Sequence, residues 1–385
     1  MIERHLKNCV VITCFDENQP GYLDFSYRIT ALASAYQLTV VSHGEIAQPE
    51  LLLQNVIYRI VDKRNGKLGW LRYIVKCALL IRRQKPDVVM LLHSAVSPVA
   101  LLVGKIPTCL YWNEHPSNLM HLPAEFSPIS TKLTHFLHQL IFLGAKKSTL
   151  VMPIGEDHQE DLIKHGVSAQ KINMIYMGVS ADFLPENHPI EKAKIGDDGS
   201  AIKLIYVGTV SESRGRDVML DAMKLIADKQ LKLHLTIVGA SPEQLQYCQQ
   251  RIDALSLQTY VKVIGKVSGN EIPHYLAQAD AAICLWQASP WNQFNPPTKL
   301  FEYLVAGLPV LASNIRTHTR YVQDGHNGFI FAYDARALAM VLEHLHNQID
   351  AIPLMQQQAL QSGQQYLWPT LEPLFLGEIR KAATV

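Results

Sequence analysis

Several signals that would fix the class of a protein are missing from this chain. None of its six cysteines, Cys9, Cys14, Cys77, Cys109, Cys248 and Cys284, belongs to a Cys-x-x-Cys pair, the spacing of many zinc and redox sites. Most of them lie in apolar runs, where a free thiol packs as a small hydrophobe, so a reducing compartment is expected. No stretch approaches the roughly 18 uninterrupted apolar residues of a membrane span. The opening "MIERHLKNCVVITCF" places charges ahead of a run too short for a secretory leader, and a cytoplasmic location is expected. Neither G-x-G-x-x-G nor G-x-x-x-x-G-K-[ST] occurs, which disfavours dinucleotide oxidoreductases and P-loop enzymes. There is no Asp-x-Asp pair to hold a divalent ion, and no low-complexity tract or internal repeat.

What is present suits an ordinary globular protein: 385 residues, 48% hydrophobic and 18% charged, with a net charge of +1. That length exceeds the size at which single cores stop growing, so two domains are expected. Short, wholly apolar runs ("CVVITC", "LTVVS", "DVVMLL", "TCLYW", "STLVMP") alternate with helix-length amphipathic segments such as 21–36 and 67–85. Apolar strands separated by helices imply a parallel sheet covered on both faces. "PENHPIEKAKIGDDGS", 185–200, loses that periodicity and reads as a linker. A second series follows: "IKLIYVG", "LKLHLTIVG", "YVKVIG", "AAICLW", "LPVLAS", "GFIFAY". The expected fold is therefore α/β, with two Rossmann-like doubly wound domains at 1–184 and 201–367 and ligand held in a cleft at their strand C-termini.

Two units of the second domain carry candidate chemistry. In "NPPTKLFEYLVAGLPVLASN", 295–314, a helix is expected from about Lys299 to Ala306, with Asn295 or Thr298 capping its start and Gly307 and Pro309 ending it. A helix N-terminus at the carboxyl edge of a parallel sheet favours an anion. The N–H groups of Thr298, Lys299 and Leu300 would point at it, with Lys299 adding a formal charge. Glu302 could accept two hydrogen bonds from a diol such as a ribose. The plainer alternative is that Lys299 and Glu302 form a solvent-exposed ion pair. In "LIYVGTVSESRGRDVMLDAM", Arg214 precedes a helix at the same sheet edge and suits a two-pronged phosphate contact.

On these segments, with "YVQDGHNGFIF" and "INMIYMGVSADFLP", nearly the whole chain resembles the retaining, nucleotide-sugar-dependent glycosyltransferases of family 4, which have the GT-B fold. The resemblance implies that Glu302 is the second glutamate of a Glu-x7-Glu motif and holds the nucleotide ribose. It likewise implies that Arg214 takes the place of a diphosphate-binding lysine and Gly208 that of the strand-ending turn. The chain departs from the pattern at three places. Phe294 stands where the first glutamate falls, Thr209 where an arginine is usual, and Pro297 where a glycine is common. These changes bear on the donor sugar more than on the nucleotide. Trp291 or Phe294 could cover the sugar or base.

In the first domain the resemblance assigns Gly21 to the phosphate. It also places a histidine just past the strand "TCLYW", which makes His115 the candidate, with Glu114 or Asn113 as neighbouring registers. Asp16, Glu17 and His93 are candidates on the acceptor side. His135 and His138 share a helix face without further ligands and read as surface or packing residues, not zinc ligands. The last segment, 368–385, resembles the family's terminal helix that packs back on the first domain, with Trp368 marking the crossing.

Residues 59–85 hold nine Lys/Arg and one acid, Asp62. Arg72, Lys76 and Arg83 lie opposite Leu71, Ile74, Ala78 and Ile81, which fits either a solvated helix face or contact with anionic lipid. "PISTKLTHFLHQLIFLGAKK" has the same character.

The expected activity is transfer, with retention of configuration, from a UDP- or GDP-linked sugar to a saccharide or lipid-linked saccharide. The context would be envelope or exopolysaccharide assembly. The resemblance implies that it proceeds without metal or cofactor, with Arg214, Lys299 and His115 or Glu114 as catalytic residues. No nucleic-acid partner is expected. The alternatives are a non-catalytic nucleotide-sugar-binding partner of another transferase and a GT-B nucleotide-sugar epimerase.

Overall fold

A computed structural model describes residues 6–14, 22–46, 53, 55–62, 66–119, 128–189, 201–289 and 292–384. The chain divides into two compact units, Met1–Gly178 with Trp368–Val385, and Val179–Leu367.

The first unit runs β1 (Asn8–Ile12), α1 (Tyr22–Ala35), β2 (Gln37–Ser42), β3 (Val56–Ile60), α2 (Gly66–Gln84), β4 (Val88–Leu91), β5 (Thr108–Trp112), α3 (Pro116–Leu119), α4 (Pro128–Lys147), β6 (Leu150–Pro153) and α5 (Glu156–Lys164). Its six described strands are parallel, in the order β3-β2-β1-β4-β5-β6. Every residue of β4, β5 and β6 is buried, as continuous apolar strands require when helices cover both faces. The edge strand β3, in contrast, has no buried residue.

The second unit repeats the plan with β7 (Ile202–Val207), α6 (Arg216–Asp228), β8 (Leu233–Ala240), α7 (Pro242–Leu255), β9 (Val261–Gly265), α8 (Ile272–Ala277), β10 (Ala281–Cys284), α9 (Thr298–Val305), β11 (Val310–Ser313), α10 (Arg316–Thr319), β12 (Gly328–Phe331), α11 (Ala335–Asn347) and α12 (Ile352–Gly363). The parallel order is β12-β11-β10-β7-β8-β9. Strand order reverses between β7 and β10, and ligands of open α/β sheets gather at the carboxyl ends of strands at such a reversal.

The second unit begins at Val179, ahead of the boundary at 184 read from the sequence. Val179 N–H donates to the Tyr366 carbonyl at 2.9 Å and Val179 pairs with Leu367, which ties 179–184 to that unit. The chain then returns to the first unit as α13 (Trp368–Ala382), packed beside α1. Fully buried Arg28 organises this corner. It donates to Asp24 at 3.1 Å, the Tyr111 hydroxyl at 2.9 Å and the Tyr176 carbonyl at 2.9 Å, and its guanidinium faces the Tyr111 ring at 3.8 Å. A charge held this far from water needs such partners.

Candidate functional site

The reversal between β7 and β10 brings Lys299, Arg214 and Glu302 to one edge of the second unit. Helix α9 starts one residue earlier than its sequence suggests, and its N-cap is Pro297, with no side-chain cap. Neither Asn295 nor Thr298 therefore occupies the N-cap position: Asn295 lies two residues upstream and is buried, and Thr298 is the first helical residue. The Leu300 N–H donates to the Pro297 carbonyl at 3.0 Å, so it is committed to the helix start and not available to an anion. The Leu300 side chain is core.

Lys299 and Glu302 form no ion pair, which corrects the plainer reading of the sequence. Lys299 instead turns toward β7. Its Nζ donates to the Tyr206 hydroxyl at 3.1 Å and lies 4.3 Å from the centre of that ring. Tyr206 in turn donates to the Thr209 carbonyl at 2.7 Å. Gly208 makes room for this: with φ of 130°, any Cβ there would be driven into the Lys299 ammonium. Thr209 is exposed next to it.

Glu302 lies one turn along α9. Among the described residues its carboxylate accepts no hydrogen bond. Burial pushes its pKa up to about 7, against the opposing pull of Lys299. An acceptor with raised pKa and two oxygens to satisfy suits a hydroxyl-bearing ligand.

Arg214 ends a 3-10 turn, Glu212–Arg214, ahead of α6. Gly215 follows at φ of 79°, and a Cβ there would meet the Leu285 side chain at 2.7 Å, so the turn sits flush against the exit of β10. The guanidinium of Arg214 stacks on the Trp286 ring at 4.1 Å. Burial lowers its pKa, partly opposed by Tyr206 and Cys284. Both cations act on Cys284 and His318, which places Arg214 and Lys299 around one point of the sheet edge.

A cavity of about 370 Å³ opens beside Gly208 and Thr209, bounded also by Gly239, Ser241, Lys266 and Val267. Sequence reasoning missed it, along with Tyr206, Trp286 and His318. Gly239, the glycine closing "LTIVG" one strand over from Gly208, was the available signal. Phe294 is half-buried in the loop ahead of α9. That loop is braced by buried Asn292, which accepts from Ser289 N–H at 2.9 Å and whose carbonyl receives the Thr317 hydroxyl at 2.6 Å.

In the first unit, His115 follows β5 and both of its ring nitrogens are engaged, Nε2 with Asp161 at 3.2 Å and Nδ1 with the Ser117 hydroxyl at 2.7 Å. Burial opposes ionisation of Asp161, yet the His115 hydrogen bond and the charges of His115, His165 and His158 hold its carboxyl below the usual range. Glu114 is half-buried beside it, and Asn113 accepts from Ser94 N–H at 3.3 Å. His93 is buried and caps the 3-10 segment Ser94–Leu101, its Nδ1 accepting from Ala95 N–H at 3.0 Å. The histidine therefore has a structural task at the position considered for an acceptor contact. Gly21, Asp16, Glu17 and Trp291 lie outside the described residues. Among those described, no group of three or more His, Cys, Asp or Glu is placed to hold a metal, and no helix is long and apolar enough to cross a membrane.

Residues 187–354 match the model of the family described as glycosyl transferases group 1. Among curated proteins, the chain is 26% identical over 213 residues to the amylovoran biosynthesis glycosyltransferase AmsK of Erwinia amylovora, a match covering 54% of this chain and 50% of AmsK. It is 27% identical over 159 residues to the putative teichuronic acid biosynthesis glycosyltransferase TuaH of Bacillus subtilis, covering 41% and 38%. The match thus spans about half the length of these curated relatives, or less. Among solved structures, Anabaena HepE in complex with UDP superposes with a TM-score of 0.74 at 16% identity, covering 97% of this chain and all of that one. A glycosyltransferase from Rickettsia africae gives 0.75 at 15% identity, covering 98% of each. At such identity the structural likeness concerns the fold, which is GT-B.

Proposed function

We propose that this chain, a GT-B protein whose residues 187–354 match the model of glycosyl transferases group 1, moves a sugar from a nucleoside-diphosphate donor to a saccharide or lipid-linked saccharide in envelope or exopolysaccharide assembly. The observation that carries the proposal is the set of Arg214, Lys299 and Glu302 at the β7/β10 reversal, the last accepting no hydrogen bond among the described residues, with an open cavity alongside. Two cations there would hold the diphosphate, and Glu302 would take the ribose hydroxyls. HepE, which shares the fold, is described in complex with UDP and with UDP-glucose. The AmsK and TuaH names point to polysaccharide assembly.

In this reading the cavity beside Gly208 and Gly239 receives the nucleoside. The departing diphosphate gains charge as its bond to the sugar breaks, and fixed cations that meet that charge lower the barrier. Transfer with retention, by attack on the face the leaving group vacates, needs this stabilisation more than a strong base. His115, with both ring nitrogens engaged, fits a shaping role on the first unit better than proton transfer.

Purified chain incubated with UDP-, GDP-, ADP- and TDP-sugars in the absence of acceptor provides the test. Slow release of nucleoside diphosphate with no free epimer is the expected result. Tight binding without turnover would instead support a non-catalytic binding partner, the reading favoured by Phe294 in place of a glutamate.

The proposal extends to an anionic membrane surface as the place where a lipid-linked acceptor is met. Leu68, Val75 and Leu79 of α2 are 72%, 48% and 48% exposed, interleaved with Arg72, Lys76 and Arg83. On α4, Leu133, Phe136 and Leu143 are exposed as well, and Lys67 ties the two helices through Thr134 at 2.6 Å. Flotation with vesicles containing anionic lipid should carry the protein upward at low salt. Its remaining at the bottom would remove the membrane from the account.

A further inference from the structure

The exit of β10 carries a hydrogen-bonded relay that neither the donor reading nor the motif matches use. Ser313 and His318 are fully buried. The Trp286 N–H donates to Ser313 Oγ at 3.1 Å, and that hydroxyl donates back to the Trp286 carbonyl at 2.9 Å. The single Ser313 proton is thereby spent. His318 Nδ1, 3.0 Å from the Ser313 carbonyl and 3.1 Å from its hydroxyl, must then be the donor. Its Nε2 is left as an acceptor, and the Cys284 thiol at 3.6 Å supplies the proton. His318 is thus fixed as one neutral tautomer, in keeping with a pKa that burial pushes down to about 3.

The relay ends on a ring. Trp286, locked at both of its backbone polar atoms, presents its indole to the Arg214 guanidinium at 4.1 Å and leans on His318 at a ring distance of 5.7 Å. The next residue clamps the same turn, since Gln287 N–H donates to the Ser213 carbonyl at 3.2 Å. From the far side, the Tyr333 hydroxyl donates to the Glu212 carbonyl at 2.8 Å. A long arginine side chain loses rotamer freedom on binding a phosphate, and a ring already holding its plane reduces that loss.

The geometry points to Trp286, held by the Ser313–His318–Cys284 relay, as the positioning residue that aims Arg214 at the donor diphosphate. This rests on the diphosphate reading of Arg214. A small aliphatic residue at 286 would take the flat face away from the guanidinium, whereas phenylalanine would keep one.

Inorganic pyrophosphate, which lacks base and sugar, is the probe, with affinity measured by calorimetry at low salt on the full chain. Trp286→Leu is expected to weaken binding about fivefold and Trp286→Phe less than about twofold. In an Arg214→Ala background, Trp286→Leu should cost nothing further, while its effect on melting temperature stays the same in both backgrounds. His318→Asn keeps a donor near the Nδ1 position and should retain affinity better than His318→Leu. Pyrophosphate should also change tryptophan emission in the native chain and not in Trp286→Phe, a signal that holds even where a core variant at 318 folds poorly. Arg214→Ala with unchanged affinity would overturn the diphosphate reading itself. An Arg214 effect with Trp286→Leu equal to the native chain, or equally damaging in the Arg214→Ala background, would overturn the positioning role alone.

Discussion

Lys299 reaches across from the start of α9 to the end of β7, where its ammonium donates to the Tyr206 hydroxyl at 3.1 Å. The charge is thus held over the strand-ending Gly208 and away from Glu302, four atoms of stem having been spent on position instead of on an ion pair. A cation placed in advance costs less to organise when a diphosphate arrives.

Removing that charge should be felt in binding more than in folding. Lys299→Ala is expected to weaken the affinity for nucleoside diphosphate by about ten- to a hundredfold, as loss of a charge-assisted contact does. Tyr206→Phe, which keeps the ring and removes only the hydroxyl, should cost less. Calorimetric titration of both variants decides the matter; equal affinities for Lys299→Ala and native protein would place the diphosphate elsewhere.

Gly208→Ala should damage both stability and ligand binding. A side chain at φ of 130° is strained, and its Cβ would displace the Lys299 ammonium. The expected loss is about 1–3 kcal/mol in urea unfolding, accompanied by weaker nucleotide affinity. A variant as stable as the native chain would mean that the turn relaxes readily.

The raised pKa of Glu302, about 7, gives nucleotide binding a pH dependence of definite sign. Ribose hydroxyls donate to a carboxylate and not to a carboxylic acid proton, so the bound state should hold fewer protons and affinity should rise from pH ~5.5 to ~8. Part of that rise belongs to the ligand's own phosphate, which Glu302→Gln isolates. The slope of the native chain should exceed that of the variant; parallel slopes would separate Glu302 from the ribose.

Asp161 supplies a stability test in the first unit. Its carboxyl is held below the usual value of 3.8 despite burial, through His115 and its neighbours. A depressed pKa contributes stability above the unfolded value, and this is lost as pH falls through the folded one. Acid unfolding below pH ~4 should therefore lose part of its steepness in Asp161→Asn. An unchanged acid transition would show that the pair is not coupled to folding.

Much of this was legible in the sequence. Wholly apolar strands spaced by helices are enough to specify two covered parallel sheets, because no other arrangement buries both faces of such a strand. That Arg214, Lys299 and Glu302 would lie at one sheet edge was legible because their places after strands are local properties. What was not legible depends on where side chains go once the sheet is assembled. Leu300 looks like a free helix-start donor until its N–H closes on Pro297, and His93 looks like a site residue until it caps the turn that follows it. Trp286 reads as the end of an apolar strand. Only the crossover that places β10 beside β7 reveals that its ring lies under Arg214.

The most direct test of the central claim, that the β7/β10 edge of the second unit holds a nucleoside diphosphate, is a thermal-shift panel of UDP, GDP, ADP and TDP on the native chain and on an Arg214→Ala/Lys299→Ala variant. A ligand that binds the native state raises the melting temperature. At least one of the four should do so for the native chain, and none for the variant. No shift with any nucleotide, or the same shift in both proteins, would contradict the claim.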